Sequence, residues 1–238
     1  MRIWLKCKEL IFSLAQLFSR KNKSPFEELL PYARPTQDHR IYIRFKTDNV
    51  PEAYTVQEFE RLMGVTYARH LVFRSESIYL LVKELCKNVF DQGEVSKGSE
   101  WLGVFFRNQI DTGDVKKVSI RYVDDHIGFG VFLEEKIAKG DMIGEYTGLV
   151  RRCLPIFSLP NRYSFRYPLY CLFFGSYTID AEEFTNEISF INHSKSPNCE
   201  SVVSINHHLL HVVIRAARDL EQGEELTFDY GTNLEEML

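Results

Sequence analysis

Two tyrosines in similar local sequences are the residues best suited to chemistry in this chain. Tyr146 lies in a Glu-Tyr-Thr-Gly segment and Tyr230 in a Phe-Asp-Tyr-Gly segment. A tyrosine offers an apolar ring that can line a narrow channel and one hydroxyl that can orient a polar group inside it. A fold that brings the two phenols together could hold an alkyl amine by its stem and its nitrogen.

Two further segments could bind a ligand. Asn192 and His193 place an amide beside an imidazole in the run Asn-His-Ser-Lys-Ser-Pro-Asn. Gly128 and Gly130 lack a Cβ, so the main chain there can approach a ligand closely. Their Gly-Phe-Gly segment has no third glycine at dinucleotide-binding spacing and no strand-turn-helix context, which argues against a Rossmann site.

These four segments, in this order, resemble those of the SET-domain protein lysine methyltransferases. The resemblance covers about residues 116–231, and the compact bacterial members, including the chlamydial type, are similar in size. It implies a mainly β SET fold of small curved sheets, a β-clip whose C-terminal segment is threaded through a loop as a pseudoknot. That topology would bring Asn192 and His193 beside Tyr230.

The resemblance also implies roles for individual residues. Tyr230 is expected to be the catalytic tyrosine and Tyr146 its partner at the methyl-transfer pore. The expected cofactor is S-adenosyl-L-methionine, and no metal is expected. The residues expected to bind the cofactor are Gly128, Phe129, Gly130, Tyr163, Asn192 and His193. Those expected to line the substrate channel are Phe228, Phe165 and Tyr177.

Methyl transfer to lysine requires the neutral amine. A lysine with the ordinary pKa of about 10.4 is neutral roughly once in 2,500 at pH 7, which corresponds to about 4.6 kcal/mol. A narrow apolar channel beside a positive sulfonium disfavours the ammonium form and reduces that cost. Alignment of nitrogen, methyl carbon and sulfur then provides much of the acceleration.

Phe228 leads to a hypothesis about the product. SET enzymes carry either phenylalanine or tyrosine two residues before the catalytic tyrosine, and a tyrosine hydroxyl there tends to hold a water where a methylated amine must fit. Phenylalanine leaves more room, so we expect the enzyme to proceed beyond monomethyl-lysine.

Three departures from the family pattern leave alternatives open. Ser189 and Lys195 stand where the family usually has arginine and cysteine, and no three-cysteine post-SET zinc motif follows Tyr230, so we expect another segment or subunit to cover that side. One alternative is a SET-derived interaction scaffold without turnover. A second is a methyltransferase for small molecules or other non-protein substrates.

Composition limits the class of protein. The 238 residues, 45% of them hydrophobic, can bury a proper core. Five cysteines without a Cys-x-x-Cys pair indicate neither a disulfide framework nor a thiolate zinc site, which favours a reducing, cytoplasmic compartment. Secretion into a host cell or action in a nucleus cannot be read from the residues. Three histidines, His207, His208 and His211, are not expected to bind metal, because a strand would point His208 away from the other two.

Charge is divided unevenly along the chain. Residues 1–113 contain 17 Lys and Arg against 14 Asp and Glu, a net of +3, and residues 114–238 contain 12 against 19, a net of −7. An acidic cleft would attract a lysine-rich segment, although a merely solvated acidic surface explains the imbalance as well. The expected partner is a basic protein such as a histone or a bacterial histone-like protein, with no need for direct nucleic-acid binding.

The arrangement of apolar residues divides the chain into two parts. Residues 1–113 are expected to be a mixed region with helices that serves packing, dimerisation or substrate docking, and residues 114–238 are expected to be the SET domain. The overall fold class is then α+β. Thr55 opens a capping box for a helix that ends near Met63. The apolar positions Ile78, Leu81, Val82, Leu85 and Val89 predict a second helix from Ser77. A strand is predicted at 41–45, and predicted strands in the second half are 118–123, 130–133, 142–146, 177–179, 201–205 and 209–214.

The first 18 residues are apolar but interrupted by Lys6, Lys8 and Glu9, and no cleavage site follows. We therefore expect neither a signal peptide nor a membrane span. An amphipathic helix that packs on the protein or on a second copy, as in a homodimer, is one reading, and a helix on a membrane surface is the other.

Overall fold

A computed structural model describes residues 38–153, 163–171 and 175–231. The predicted helix at residues 1–18 lies outside this part of the chain. The four helices in the described residues are α1 (Val56–Met63), α2 (Glu76–Asp91), α3 (Lys97–Phe105) and α4 (Arg107–Thr112). None of the helices described is long and apolar enough to cross a membrane.

The strands are short and most lie after residue 113. In chain order they are β1 (Arg40–Arg44), β2 (Glu52–Thr55), β3 (Thr66–Tyr67), β4 (Val118–Asp124), β5 (Gly128–Leu133), β6 (Met142–Glu145), β7 (Leu149–Cys153), β8 (Ser164–Cys171), β9 (Gly175–Asp180), β10 (Phe184–Thr185), β11 (Asn192–His193), β12 (Cys199–Asn206), β13 (Leu209–Ala216) and β14 (Glu225–Phe228). A 3-10 helix, Glu187–Phe190, precedes β11. The predicted predominance of strands after residue 113 is confirmed.

The largest sheet has six strands in the order β11-β14-β5-β4-β1-β2. Strand β14 lies inside this sheet, parallel to β11 and antiparallel to β5, although it is the last of the described strands. Strand β1 pairs in parallel with β4, so the sheet joins segments from both sides of residue 113. The division into two domains at that residue stays a prediction.

The described residues also form three smaller sheets, with the orders β10-β3, β12-β13-β6 and β7-β9-β8. The hairpin β12-β13 turns at His207 and His208, whose φ angles of 49° and 63° are those of a type I′ turn. The fold is thus a set of small sheets with a few helices, in agreement with the α+β expectation.

Local signals explain the first two helices. Thr55 Oγ1 accepts the Glu58 N–H, and the Glu58 carboxylate accepts the Thr55 N–H, so the predicted capping box is confirmed. Helix α2 begins one residue before the predicted Ser77, because Ser75 caps it by accepting the Ile78 N–H. These caps satisfy N–H groups that have no partner within the helix.

Helices α3 and α4 were not predicted. Gly103 of α3 packs so closely on β12 that a Cβ there would stand 1.8 Å from the Ile205 carbonyl oxygen. The outer face of α3 exposes Trp101, Val104 and Phe105. Because apolar residues lie on both faces of this helix, its sequence lacks the one-sided spacing by which an amphipathic helix is recognised.

The main core joins α2 to the small sheets. It contains buried residues of α2 such as Leu81 and Leu85 together with Tyr146, Ile179 and Phe228. A second core holds β1 against β4 and α1 through buried side chains, which are Ile41, Ile43, Phe59, Tyr67 and Ile120.

Candidate active site

Four aromatic rings form a continuous cluster that joins the two tyrosines of the motifs. The ring centroids of Tyr146 and Phe165 are 5.3 Å apart, those of Phe165 and Phe228 6.1 Å, and those of Phe228 and Tyr230 4.7 Å. Tyr146 follows β6, Phe165 is in β8, and Phe228 ends β14. Three distant stretches of chain therefore supply one aromatic surface.

Both phenol hydroxyls donate to main-chain carbonyls. Tyr146 Oη donates to the carbonyl oxygen of Tyr163 at 2.8 Å, and Tyr230 Oη donates to that of Ile191 at 2.6 Å. Burial raises the pKa of Tyr146, and the nearby Tyr230 phenol raises it further. Tyr146 therefore stays protonated at neutral pH and can orient a polar group without acting as a base.

The parallel pairing of β11 with β14 brings the second motif to Tyr230. His193 lies opposite Phe228 in this pairing, and its ring centroid is 5.4 Å from that of Tyr230. The Tyr230 main-chain N–H donates to His193 Nδ1 at 3.2 Å. Because Nδ1 accepts this bond, the hydrogen of a neutral His193 ring lies on Nε2, and the side chain is 37% exposed.

Asn192 is fixed by contacts that cross the sheet. Its amide Nδ2 donates to the carbonyl oxygen of Phe129 at 3.2 Å and to Glu225 Oε1 at 3.0 Å. A Cβ at Gly130 would stand 2.6 Å from Glu225 Oε1 and 2.8 Å from Asn192 Nδ2. Glycine at 130 is thus needed for close packing of the site's own side chains.

Gly128 has a different role from Gly130. Its φ is +84°, and no atom of the described residues lies within 4 Å of the place where a Cβ would stand. Among these residues, the main chain at this turn is therefore open, close to the Phe129 carbonyl that Asn192 contacts. This open main chain and the exposed His193 ring fit a ligand with a polar amino-acid end.

The remaining predicted residues are more varied in their placement. Tyr163 is exposed at 37% and offers its carbonyl oxygen to Tyr146. Tyr177 is buried in β9, in the core that contains Tyr146. Phe129 turns its ring away into the second core, with centroids 5.8 Å and 5.9 Å from those of Phe45 and Tyr122. Only its carbonyl faces Asn192, so any role in cofactor binding falls to its main chain.

Two residues that organise the site were not predicted. Asn198, 9% exposed, donates to the Glu225 carbonyl oxygen at 2.8 Å and accepts the Thr227 N–H at 2.8 Å. Glu225 in turn holds Asn192. Asn198 is the last residue of the motif Asn-His-Ser-x-x-Pro-Asn, and its place in that motif could have identified it as a residue of the site.

Ser189, at the place of the family's usual arginine, makes short-range contacts. Its hydroxyl bonds with that of Thr185 and donates to the Asn186 carbonyl oxygen at 3.2 Å. After it, the Ser194 N–H donates to the Phe228 carbonyl oxygen at 3.2 Å. The segment before and after Asn192 is therefore held by the main fold despite the missing arginine.

Two of the histidines considered for metal, His207 and His211, have protein partners. His211 Nδ1 is 2.6 Å from Glu145 Oε1, and His207 Nε2 is 3.1 Å from Asp111 Oδ1. Within the described ranges, no group of three or more His, Cys, Asp or Glu residues is arranged to hold a metal ion.

Comparison with known proteins agrees with this geometry. Residues 128–231 match the family model described as SET domain. Histone-lysine N-methyltransferase ash1 of Drosophila melanogaster is 34% identical over 122 residues, which are 48% of this chain and 5% of the relative. Histone-lysine N-methyltransferase set-2 of Caenorhabditis elegans is 28% identical over 217 residues, 87% of this chain and 13% of the relative.

A solved structure shares the fold over a larger part of the chain. The crystal structure of ATXR5 in complex with histone H3.1 mono-methylated on R26 matches with a TM-score of 0.58 and 19% identity, and covers 74% of this chain and 86% of that one. The curated relatives are much longer, since this chain spans 5% of the length of ash1 and 13% of that of set-2.

Proposed function

Residues 128–231 of this chain form a SET domain, and from this premise we propose that the protein is an S-adenosyl-L-methionine-dependent lysine methyltransferase that acts on a basic protein. The strongest support is the aromatic cluster that joins Tyr146 to Tyr230 through Phe165 and Phe228. A lysine side chain requires such an apolar passage with polar atoms at its inner end.

The two phenols orient the amine. Each hydroxyl hydrogen is directed at a main-chain carbonyl, so each phenol oxygen can accept an N–H from a lysine amine. With its hydrogens held by Tyr146 and Tyr230, the amine has its lone pair directed away from them. The apolar rings of Phe165 and Phe228 disfavour the ammonium form, which lowers the cost of presenting a neutral nitrogen.

The residues around Asn192 would hold the cofactor. S-adenosyl-L-methionine, when bound, supplies a methyl group activated by its sulfonium. The main chain at Gly128, the Asn192 side chain and the exposed His193 ring offer contacts for its amino-acid end. Because Asn192 and His193 lie in the strand beside Phe228 and Tyr230, the donor and acceptor of the methyl group would meet at the aromatic cluster.

A histone, or a bacterial histone-like protein, is the substrate class we propose. Relatives with 34% and 28% identity are named histone-lysine N-methyltransferases. The net charge of −7 after residue 113 favours a basic partner. Phe228 supports methylation beyond the first step, because its apolar ring leaves room for a methylated amine. A bacterial origin and a role as a secreted effector stay predictions, as do homodimerisation and the compartment.

Incubation with labelled S-adenosyl-L-methionine tests the function. The protein is presented with histones, with a bacterial nucleoid protein and with a basic protein of unrelated fold, and methyl-lysine is located by mass spectrometry. We expect label on lysine, and we expect Tyr230→Phe to lower the rate by roughly 10² to 10³-fold, because it removes a group that orients the amine. Phe190→Tyr, which changes an aromatic residue outside the four-ring cluster, controls for effects of preparing a variant protein.

Calorimetry separates the alternatives. Binding of S-adenosyl-L-methionine without transfer to any protein favours the interaction scaffold or a non-protein methyltransferase. No binding at millimolar concentration favours the scaffold and contradicts the proposed function. Equal activity of Tyr230→Phe and the unmodified protein would refute the role of the tyrosine.

A further inference from the structure

A buried carboxylate lies directly before Tyr146. The side chain of Glu145 is 2% exposed, and its Oε1 is 2.6 Å from Nδ1 of His211, whose side chain is 11% exposed. The second oxygen, Oε2, is buried and has no hydrogen-bond partner among the described residues. A carboxylate in this state requires a strong counterpart, because an uncompensated buried charge is highly unfavourable.

The contacts of His211 determine how many protons the pair holds. Its second nitrogen, Nε2, is 3.4 Å from the carbonyl oxygen of Asn206. A carbonyl oxygen only accepts, so Nε2 carries a hydrogen, and a second hydrogen must lie between Nδ1 and Glu145. The pair therefore consists of an imidazolium and a carboxylate, or of their neutral equivalents, with the same total of protons.

Other titratable groups surround this pair. They come from other parts of the fold and are Arg69, His70, Asp111, Tyr167 and His207. Burial lowers the pKa of His211, but the charge of Glu145 and the hydrogen bond to it raise the pKa more, so the pKa lies above the ordinary value. Burial lowers the pKa of His70, which favours its neutral form beside the pair.

The pair is connected to Tyr146 by short main-chain contacts. Asn186 Nδ2 donates to the Glu145 carbonyl oxygen at 2.9 Å, and the Tyr146 N–H donates to the Val212 carbonyl oxygen at 2.9 Å. Val212 is the neighbour of His211 in β13. Two consecutive residues of β13 therefore hold the end of β6. His211 binds the Glu145 side chain, and the Val212 carbonyl oxygen accepts the Tyr146 N–H.

We propose that the proton shared by Glu145 and His211 fixes the end of β6 and so positions the Tyr146 hydroxyl for methyl transfer. Both residues are positioning residues, since neither reaches the aromatic cluster. This inference rests on the proposed function, and its tests include one that does not require turnover.

The pH dependence follows from the direction of the pKa shift. Because the pKa of His211 is raised in the folded protein, the stabilisation from the pair is complete below the ordinary histidine value of about 6.5 and is lost as the pH rises through the raised pKa. The loss leaves Glu145 buried without its counterpart. The position of Tyr146 should therefore loosen on the alkaline side.

Three variants test this arrangement. His211→Phe keeps a ring but leaves the Glu145 carboxylate unpaired, and we expect kcat to fall about 10 to 100-fold with the KM for S-adenosyl-L-methionine nearly unchanged. Glu145→Gln can donate to a neutral His211, so it should keep kcat within about 3-fold at pH 7 and remove the alkaline loss relative to the unmodified protein. His207→Phe, in the exposed turn of the same hairpin, should change neither value.

Two further measurements decide between positioning and packing. If His211→Phe lowers only the melting temperature and keeps the kcat of the folded protein, the inference is wrong. Nuclear magnetic resonance of the Tyr146 ring applies even if the protein transfers no methyl group. Ring signals that shift with the titration of His211, and stay constant in Glu145→Gln, support the inference, and signals that stay constant in both proteins overturn it. Absence of transfer by the unmodified protein would count against the proposed function alone.

Discussion

Gly128 and Gly140 differ in their place in the molecule but share a backbone conformation. Their φ angles are +84° and +88°, and in the described part of the chain neither has an atom within 4 Å of the place for a Cβ. Alanine at either position incurs similar backbone strain, roughly 1 to 2 kcal/mol. Only Gly128 adjoins Asn192 and the proposed cofactor site.

We predict that Gly128→Ala weakens binding of S-adenosyl-L-methionine at least about 10-fold, because a methyl group would enter the space that the cofactor requires, at a cost of ~1.4 kcal/mol or more. Calorimetry measures the binding, and thermal unfolding measures the strain. Gly140→Ala should lose the same stability and bind normally. Equal binding by both variants would mean that the cofactor does not approach Gly128.

Phe228 is enclosed by rings on both sides, and its side chain is only 2% exposed. A hydroxyl added in Phe228→Tyr must find a partner there or hold a water, since an unsatisfied buried hydroxyl costs about 1–3 kcal/mol. We predict that the product distribution shifts from di- or trimethyl-lysine toward monomethyl-lysine. Mass spectrometry of the product checks this shift.

Phe184→Tyr is the matched control for this change, because Phe184 is a buried phenylalanine of a separate cluster. It should lose comparable stability and keep the product distribution. A monomethyl product from the unmodified protein, with no effect of Phe228→Tyr, would contradict the role given to Phe228.

At single positions, residues whose side chains could take part in the reaction were easier to identify from the sequence than residues that hold those side chains in place. Tyr146, Tyr230 and Asn192 were candidates because their side chains carry functional groups in recognisable segments. Glu225 was missed because its contact with Asn192 joins residues 33 positions apart. Such a bond depends on the threaded chain and leaves no local pattern.

Between elements, Asn198 is the connection that holds the last strand. It binds the main chain of Glu225 and of Thr227 in β14 from its place just before β12. We predict that Asn198→Ala lowers the free energy of unfolding by about 1–3 kcal/mol, because a partly buried main-chain donor and acceptor lose their side-chain partner. Urea denaturation gives this value, and binding of the cofactor should weaken with it.

Thr55→Ala provides the contrast for Asn198→Ala. Removal of the capping hydroxyl from α1 should cost about 0.5–2 kcal/mol. Helix α1 packs on the second core, away from Tyr230, so cofactor binding and kcat should stay unchanged at a temperature where the variant is folded. If both variants reduced binding equally per unit of lost stability, Asn198 would have only a general structural role.

The predictability of an element depends on whether its cause is local. The cap of α1, the apolar face of α2 and the strands β4, β12 and β13 were predicted from adjacent residues, whereas β8 was not. Strands β3, β10 and β11 contain two residues each, and their partners lie far along the chain. No periodicity exists in two residues, so only the complete fold defines them.

For the whole molecule, charge should govern the encounter with the proposed basic substrate. The net of −7 after residue 113 should attract lysine-rich segments over a distance of about 10 Å at 0.1 M salt. We predict that kcat/KM for a histone falls severalfold between low and high salt, while that for a neutral peptide with one lysine changes little. Steady-state rates at several salt concentrations provide the measurement.

Asp229 lies beside Tyr230 with 63% of its side chain exposed, and Asp229→Asn should reduce the salt dependence. Asp125, exposed at 82% and paired with Lys46, is the matched position on another surface, where Asp125→Asn should have no effect. Salt-independent rates would indicate that the acidic half is simply a solvated surface.

The order of strands could not be derived from residue patterns. Short apolar runs separated by turns indicated strands after residue 113, but they contain no information on which strand lies beside which. The resemblance to SET domains supplied the threading, and the pairing of β11 with β14 agrees with it. The parallel pairing of β1 with β4 had no counterpart in the motifs.

Protein synthesis must pass residue 228 before this site can exist. Strand β14 is made last among the described strands, yet it occupies the gap between β5 and β11. Until β14 leaves the ribosome, β5 has an unpaired edge and Asn192 has no Glu225 to hold it. A nascent chain is therefore inactive and prone to association through that edge, so chaperones should engage it at this stage.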